Sequence, residues 1–140
     1  MNTPILLIAW RRPDTLEKVI DALRLIQPTK LYIACDGPLP HPPEEARKVL
    51  NTRLLIKESI DWICDIKYLY SDTNQGCRLG VSRAISWFFE EVPEGIILED
   101  DCVPHPDFFR YCELILERYR DNSRVWQICG TNFIPNYSST

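Results

Sequence analysis

The regular alternation of short apolar runs with helical patterns limits the fold of this chain more than any other feature. The apolar runs are Ile5–Ala9, Leu31–Cys35, Ile66–Tyr70 and Ile96–Leu98. Short apolar runs bounded by Pro, Gly or Asp are typical of strands buried on both faces. Between them, apolar residues recur at helical spacing. A strand followed by a helix, repeated four times, predicts an α/β fold in three layers, with a mainly parallel, Rossmann-like sheet and right-handed crossovers.

Helix and strand boundaries follow from Pro, Gly and capping residues. Arg11-Arg12-Pro13 ends the first strand, and Asp14 with Glu17 predicts a capping box for the first helix. The sequence further predicts helices from Glu44 to about Trp62, from Leu79 to Val92 and from Pro106, and a fifth strand at Val125–Cys129. A length of 140 residues suits one domain, here 1–140.

Charge and hydropathy exclude some classes of partner. The net charge is −4 and no Lys/Arg stripe is present, which argues against a nucleic-acid partner. The apolar run from Ile5 to Trp10 is too short for a signal peptide, and no segment is long enough to span a membrane. We therefore expect a soluble, cytoplasmic protein.

The six cysteines show no pairing typical of zinc fingers or redox motifs, because no C-x-x-C pair occurs. Cys35, Cys102 and Cys129 lie in or beside apolar runs, so we expect them to be reduced thiols in the core. This expectation agrees with a reducing compartment, although an even number of cysteines leaves disulfides possible.

Three carboxylates, Glu99, Asp100 and Asp101, follow the fourth apolar run directly. If the strand geometry continued through them, Glu99 and Asp101 would project to one side and Asp100 to the other. Carboxylates without His or Cys partners suit a hard divalent cation such as Mg²⁺ or Mn²⁺. The alternative is a solvated acidic loop, as charge clusters usually are. Their position at the carboxyl end of a strand favours a ligand site.

Polar residues also follow the other three strands. They are Arg11 and Arg12, then Asp36, then Asn74 and Arg78. Because the carboxyl ends of parallel strands share one edge of the sheet, these loops are expected to meet the acids there. Arginines bind phosphate or carboxylate oxygens, and a carboxylate can accept a hydrogen bond from a nucleobase N–H. Together the residues indicate a site for a nucleoside diphosphate and the group attached to it.

Each of these residues also has a purely structural interpretation. Asp36-Gly37-Pro38 and Asn74-Gln75-Gly76 are ordinary turn sequences. The pair Arg11 and Arg12 precedes a helix, where basic side chains often face solvent. No dinucleotide-binding or P-loop glycine pattern is present.

Several motifs nevertheless resemble those of one enzyme family. They are Pro4 to Ala9 with Arg12-Pro13-Asp14-Thr15-Leu16, Asp36-Gly37, Asn74-x-Gly76-x-Arg78-Leu79-Gly80, and Ile97-Leu98-Glu99-Asp100-Asp101-x-x-Pro104 with Asp107-Phe108-Phe109. In these segments the chain resembles glycosyltransferases of the GT-A fold, especially family 2-type and N-acetylglucosaminyltransferase I-like enzymes, whose metal motif is also Glu-Asp-Asp. The resemblance covers nearly the whole chain.

The resemblance implies a role for each matching residue. Asp101 would bind the Mn²⁺ or Mg²⁺ that bridges the diphosphate of a nucleotide-sugar donor, while Glu99 and Asp100 would hold sugar, ribose or metal-bound water. Asp36 would accept the N3–H of uracil. The implied nucleotide and donor-binding set is Ala9, Arg11, Arg12, Asp36, Asn74, Arg78, Glu99 and Asp100. The resemblance implies that a sugar is transferred from a nucleoside-diphosphate sugar to a hydroxyl acceptor. It further implies that this donor is a UDP-sugar.

The chain departs from the family pattern at two points. Arg11 stands where many relatives carry a smaller polar residue, and the family places its catalytic base beyond the length of this sequence. The expectation is therefore the donor-binding half of a longer glycosyltransferase. A sugar-nucleotide nucleotidyltransferase is one alternative, although Ala9-Trp10-Arg11-Arg12-Pro13 lacks its Gly-rich loop. A non-catalytic nucleotide-binding or protein-interaction module is the other.

Overall fold

The apolar runs form the strands of one sheet in a computed structural model that describes residues 1–131. In chain order the elements are β1 (Ile5–Ala9), α1 (Pro13–Ile26), β2 (Lys30–Cys35), α2 (Glu44–Ser59), β3 (Asp65–Tyr70), α3 (Gly76–Glu91), β4 (Ile96–Glu99) and α4 (Pro106–Tyr119). All strand pairs are parallel, in the order β3-β2-β1-β4. The predicted α/β class with a parallel sheet and helices on both faces is confirmed.

The two faces of the sheet are covered unequally. Alternate side chains such as Ile5, Leu7 and Ile33 lie on the face that packs against α1, α2 and α4, within the larger hydrophobic cluster. Within residues 1–131, the opposite face packs against α3, where Leu6 and Tyr32 belong to a smaller cluster with apolar residues of that helix. Burial of each fully enclosed aliphatic side chain stabilises the fold by about 1.5–3 kcal/mol. One helix therefore covers this face in part, and Ile97 of β4, the neighbour of Leu6, stays 37% exposed.

Helix α1 begins at Pro13, which contradicts the predicted capping box. Arg12 is the N-cap residue and gives no side-chain capping hydrogen bond. Because Pro13 occupies the first helical position, Asp14 lies within the first turn, where its charge interacts favourably with the helix dipole. The helix ends at Ile26, and the C-cap residue Gln27 has a left-handed backbone with a φ of 41°.

Helix α3 begins at Gly76, three residues before the predicted start at Leu79. The earlier start has a local cause, because side chains at the end of β2 and in the preceding loop accept hydrogen bonds from Gln75 N–H and Gly76 N–H. No helix within residues 1–131 is both long enough and apolar enough to cross a bilayer.

The predicted fifth strand at Val125–Cys129 is wrong, since these residues form no strand. An apolar run becomes a strand only where a neighbouring strand pairs with it, and Trp126 is instead 93% exposed. The expectation of core thiols is correct for Cys35, which is buried, and wrong for Cys102 and Cys129, which are exposed. Cys102 lies in the turn after β4, and Cys129 lies in the segment that forms no strand.

Candidate functional site

A cavity of about 200 Å³ opens where the carboxyl ends of the strands meet the first half of α3. This is the edge of a parallel sheet at which ligands commonly bind. Six residues of the predicted site line it, namely Ala9, Arg12, Asp36, Asn74, Glu99 and Asp100. Arg11, Arg78 and Asp101 do not line it. Residues from all four strand-following loops therefore converge at this edge.

Asp100 is the buried carboxylate of the site, with only 4% of its surface exposed. Its Oδ2 accepts a hydrogen bond from the backbone N–H of Trp10 at 2.9 Å. Burial raises the pKa of Asp100, although the Trp10 hydrogen bond and the positive charge of Arg12 oppose that rise. The hydrogen bond joins the end of β1 to the turn after β4.

Arg12 brings the charges of two neighbouring acids together. Its Nη1 lies 3.7 Å from Oδ1 of Asp100 and also pairs with Oδ2 of Asp101. The hydrogen bond from Arg12 lowers the pKa of Asp101. Because Asp101 is partly exposed, its carboxylate is accessible to solvent as well as to the guanidinium. One cationic group thus pairs with two carboxylates and offsets half of their combined charge.

The acidic segment is a tight turn and not an extension of the strand. β4 ends at Glu99, and the N–H of Cys102 donates to the carbonyl oxygen of Glu99 at 3.1 Å. The alternating projection expected for an extended strand therefore does not continue through Asp100 and Asp101. Within the part of the chain that the structure describes, no three His, Cys, Asp or Glu side chains gather as a metal-binding group.

Two carboxylates are enough for one class of metal site. Mg²⁺ is commonly held by one or two carboxylates, with the phosphates of a bound substrate and water completing its coordination. Asp100 and Asp101 already share one cationic partner, Arg12, so their oxygens approach a common position. The donor set is all oxygen, which suits Mg²⁺ or Mn²⁺. The residues fit a cation that binds together with a phosphate ligand.

Asp36 connects the end of β2 to the start of α3. Its carboxylate accepts hydrogen bonds from the N–H groups of Gly37 at 2.8 Å, Gln75 at 2.9 Å and Gly76 at 3.2 Å, and from Nδ2 of Asn74 at 3.0 Å. A carboxylate offers about four lone-pair sites, so the protein itself uses the capacity of this side chain. The expected contact between Asp36 and a base stays a prediction, and it would compete with these four donors.

Gly37 allows the loops after β2 and β3 to lie against one another. A Cβ at this position would lie 2.5 Å from the backbone carbonyl carbon of Thr73. The carbonyl oxygen of Gly37 accepts hydrogen bonds from Nε1 of Trp10 at 2.9 Å and from Nδ2 of Asn74 at 3.2 Å. Three loops of the site are thus fixed to one backbone carbonyl.

Arg11 extends away from the cavity. Its guanidinium lies 4.2 Å from the centre of the Trp10 ring and pairs with Glu45, a buried carboxylate at the start of α2. Lys48 also pairs with Glu45, at 3.2 Å. The hydrogen bond from Arg11, with a second from Lys48, lowers the pKa of Glu45. The geometry gives Arg11 a structural partner, and its nucleotide contact stays a prediction.

Arg53, on α2, supports the site from behind and was not anticipated. Its Nη2 donates to the carbonyl oxygen of Ser71 at 2.6 Å and to those of Cys35 and Asp36 at 3.4 Å each. The guanidinium also lies 4.6 Å from the centre of the Tyr70 ring. One side chain therefore joins the carboxyl ends of β2 and β3. No sequence signal marked it, because Arg is a common helix residue.

Arg83, on α3, lines the cavity and was likewise not anticipated. With 3.6 residues per turn, Arg83 lies about 60° around the helix from Gly80, whereas Arg78 lies about 160° away. Gly80 faces the cavity, and a Cβ there would lie 3.4 Å from Oδ2 of Asp36. The helical register therefore explains why Arg83, and not Arg78, lines the cavity.

The chain matches no protein-family model, no curated protein and no solved structure in the comparisons made.

Proposed function

We propose that this protein binds a nucleoside-diphosphate sugar, in particular a UDP-sugar, and serves a metal-dependent glycosyltransferase reaction that delivers the sugar to a hydroxyl acceptor. The proposal keeps the resemblance of the sequence motifs to GT-A glycosyltransferases as one line of support. The second line is the cavity at the carboxyl ends of the parallel strands.

One observation carries the proposal: Arg12, Asp36, Asn74 and Asp100 line the same cavity. Each of them is more than 20 positions from the next along the chain. The cavity has hydrogen-bonding groups of the loops after β2 and β3 on one side and the carboxylates of Glu99 and Asp100 on the other. This arrangement suits an elongated polar ligand. A nucleoside diphosphate has this form, because its base and its charged diphosphate lie at opposite ends.

The acid turn, which comprises Glu99 to Cys102, is assigned to the diphosphate end of the ligand. Asp101, being partly exposed, would hold a Mg²⁺ or Mn²⁺ ion, and Asp100 would support it from the buried side. A bound divalent cation stabilises, as a Lewis acid, the negative charge that develops on the departing nucleoside diphosphate. Arg12 holds the two carboxylates together in the absence of such an ion, and its guanidinium is suited to phosphate oxygens.

Titration calorimetry with UDP, in Mn²⁺ and separately in EDTA, tests the proposal. We expect UDP to bind in Mn²⁺ and to bind much more weakly in EDTA, because the cation neutralises charge on both the acids and the diphosphate. Asp101→Asn is expected to remove the increase in UDP affinity that Mn²⁺ causes. Asp107→Asn is the matched control, since Asp107 is an exposed acid beyond the acid turn that does not line the cavity.

The same titrations distinguish the other interpretations. Absence of binding by UDP, GDP and CMP, with and without Mn²⁺, would contradict the proposal and favour a protein-interaction module. UDP binding that is independent of metal and unchanged in Asp101→Asn would favour a nucleotide-binding module without metal chemistry. A requirement for Asp101, and not for Asp107, supports the transferase assignment.

A further inference from the structure

One end of the cavity holds Asp100 and Arg12, and the other lies over the carboxyl ends of β2 and β3. The packing of α3 shows that Arg83 lies at the second end. On this helix, Glu91 accepts a hydrogen bond from Lys67 of β3 at 2.6 Å, and the ring of Trp87 lies 5.4 Å from that of Tyr32 of β2. Residues four apart lie on the same side of a helix. Arg83 precedes Trp87 by four residues, so it belongs to the side of α3 that lies over β2 and β3.

The acid end lies on the other side of the cavity. Asp100 follows β4 and is bonded to the end of β1, and Arg12 pairs with it there. Since β1 lies between β2 and β4 in the sheet, the acids and Arg83 lie toward opposite sides of the cavity. A ligand whose diphosphate lies at the acid end would extend its base toward β2, β3 and Arg83.

Arg83 has hydrogen-bonding capacity to offer a ligand. Among the ion pairs formed within residues 1–131, none includes Arg83, although its side chain is exposed. Asp36, the other charged group near this end, is already bonded to four donors of the protein. Recognition of a base at this end therefore falls to groups other than Asp36.

We propose that Arg83 is a specificity-determining residue that donates hydrogen bonds to the carbonyl oxygen at C4 of the base and so selects uracil over cytosine. The inference rests on the proposed function, because it requires that the cavity hold a nucleoside diphosphate. A guanidinium has donors and no acceptor. Uracil presents an acceptor oxygen at C4, where cytosine presents an amino group. With cytosine, two donors would therefore face one another, the amino group and the guanidinium of Arg83, and no hydrogen bond would form between them.

Calorimetry with UDP and CDP, each in Mn²⁺, tests this selection in the full chain. The unsubstituted protein is expected to bind UDP about tenfold or more tightly than CDP, because a site built to bond a polar group discriminates strongly against its mismatch. Arg83→Ala is expected to lower the ratio of UDP affinity to CDP affinity to about one, mainly by weakening the binding of UDP. Arg110→Ala is the control, as it removes the same charge from an exposed position on α4 that lies outside the cavity.

A second variant separates hydrogen bonding from charge. Arg83→Gln offers both a donor and an acceptor, so it is expected to bind UDP and CDP about equally. A ratio that stays above tenfold in Arg83→Ala would overturn the assignment while leaving the proposed function intact. If Arg83→Ala weakens the binding of UDP and CDP equally and leaves the binding of uridine unchanged, the assignment is overturned, because Arg83 would then bind phosphate and not the base. Failure of the unsubstituted protein to bind any nucleoside diphosphate would instead overturn the proposed function and this inference with it.

Discussion

The backbone N–H of Trp10, directly after β1, donates a hydrogen bond to Oδ2 of Asp100, directly after β4. The two residues are separated by 90 positions in the chain and are brought together by parallel pairing of the two strands. The bond holds the buried carboxylate in place behind Asp101. It also means that the acid turn and the first loop of the site form one unit.

Asp100 and Asp101 are expected to affect stability with opposite dependence on pH. Burial raises the pKa of Asp100, so the folded state keeps its proton to a higher pH than the unfolded chain, and stability falls as pH rises above about 4. Arg12 lowers the pKa of Asp101, so its stabilising contribution is complete above about pH 4 and is lost as pH falls through its folded-state pKa.

Urea unfolding of Asp100→Asn and Asp101→Asn between about pH 3 and pH 7 measures this difference. Relative to the unsubstituted protein, Asp100→Asn should become more stable as pH rises, and Asp101→Asn should become less stable. A change in the same direction for both variants would contradict the charge arrangement described for the acid turn.

Replacing Arg12 should strengthen metal binding in the absence of nucleotide. The guanidinium pairs with the two carboxylates assigned to the cation and repels a second positive charge there, so Arg12→Met is expected to raise the affinity for Mn²⁺ alone by about three- to tenfold. Measurement of free Mn²⁺ by electron paramagnetic resonance gives the affinity. Arg11→Met is the control, because Arg11 pairs with Glu45 on α2. An unchanged affinity in Arg12→Met would show that the guanidinium and the cation do not compete.

A methyl group at Gly37 should destabilise the protein, whereas one at Gly80 should not. The Cβ of Gly37→Ala would meet the backbone of Thr73 at 2.5 Å, and a backbone cannot move away as a side chain end can. Such overpacking typically costs about 1–3 kcal/mol. Gly80→Ala is the control within α3, where its Cβ fits and the change should stabilise the helix by about 0.5–1 kcal/mol. Equal free energies of unfolding for the two variants, measured in urea, would be inconsistent with this packing.

Removal of the Arg53 side chain should loosen the ends of β2 and β3. Arg53→Ala leaves the carbonyl oxygens of Ser71, Cys35 and Asp36 without this donor, which is expected to cost about 1–3 kcal/mol in the free energy of unfolding. Arg47→Ala, an exposed position on the same helix, provides the comparison. If the two variants unfold at the same urea concentration, the bonds from Arg53 make no net contribution.

Local sequence patterns were sufficient to predict most of the fold. The strand at Ile5–Ala9 and the helix that follows it have unambiguous apolar patterns, and the parallel order follows from the alternation of strands and helices. The segment Val125–Cys129 has a similar apolar character but forms no strand. Whether an apolar run becomes a strand depends on a pairing partner, which a local pattern does not specify.

The candidate site was predictable only as a set of loops. The rule that parallel strands share one carboxyl edge correctly brought Arg12, Asp36, Asn74 and Asp100 together. The direction of each side chain depended on distant partners that no spacing reveals, such as Glu45 for Arg11, 34 residues away. The same limit explains why Arg53 and Arg83 were not found, since their contributions depend on the register of a helix against the sheet.

The position of β4 at one edge of the described sheet has a consequence for self-association. An edge strand leaves backbone groups available for pairing with a second copy of the chain. Here the strand has only four residues, ends in Glu99 and leads directly into Asp100 and Asp101. Two molecules whose β4 strands paired in parallel would bring their acidic turns side by side, so mutual repulsion opposes that form of edge-to-edge association.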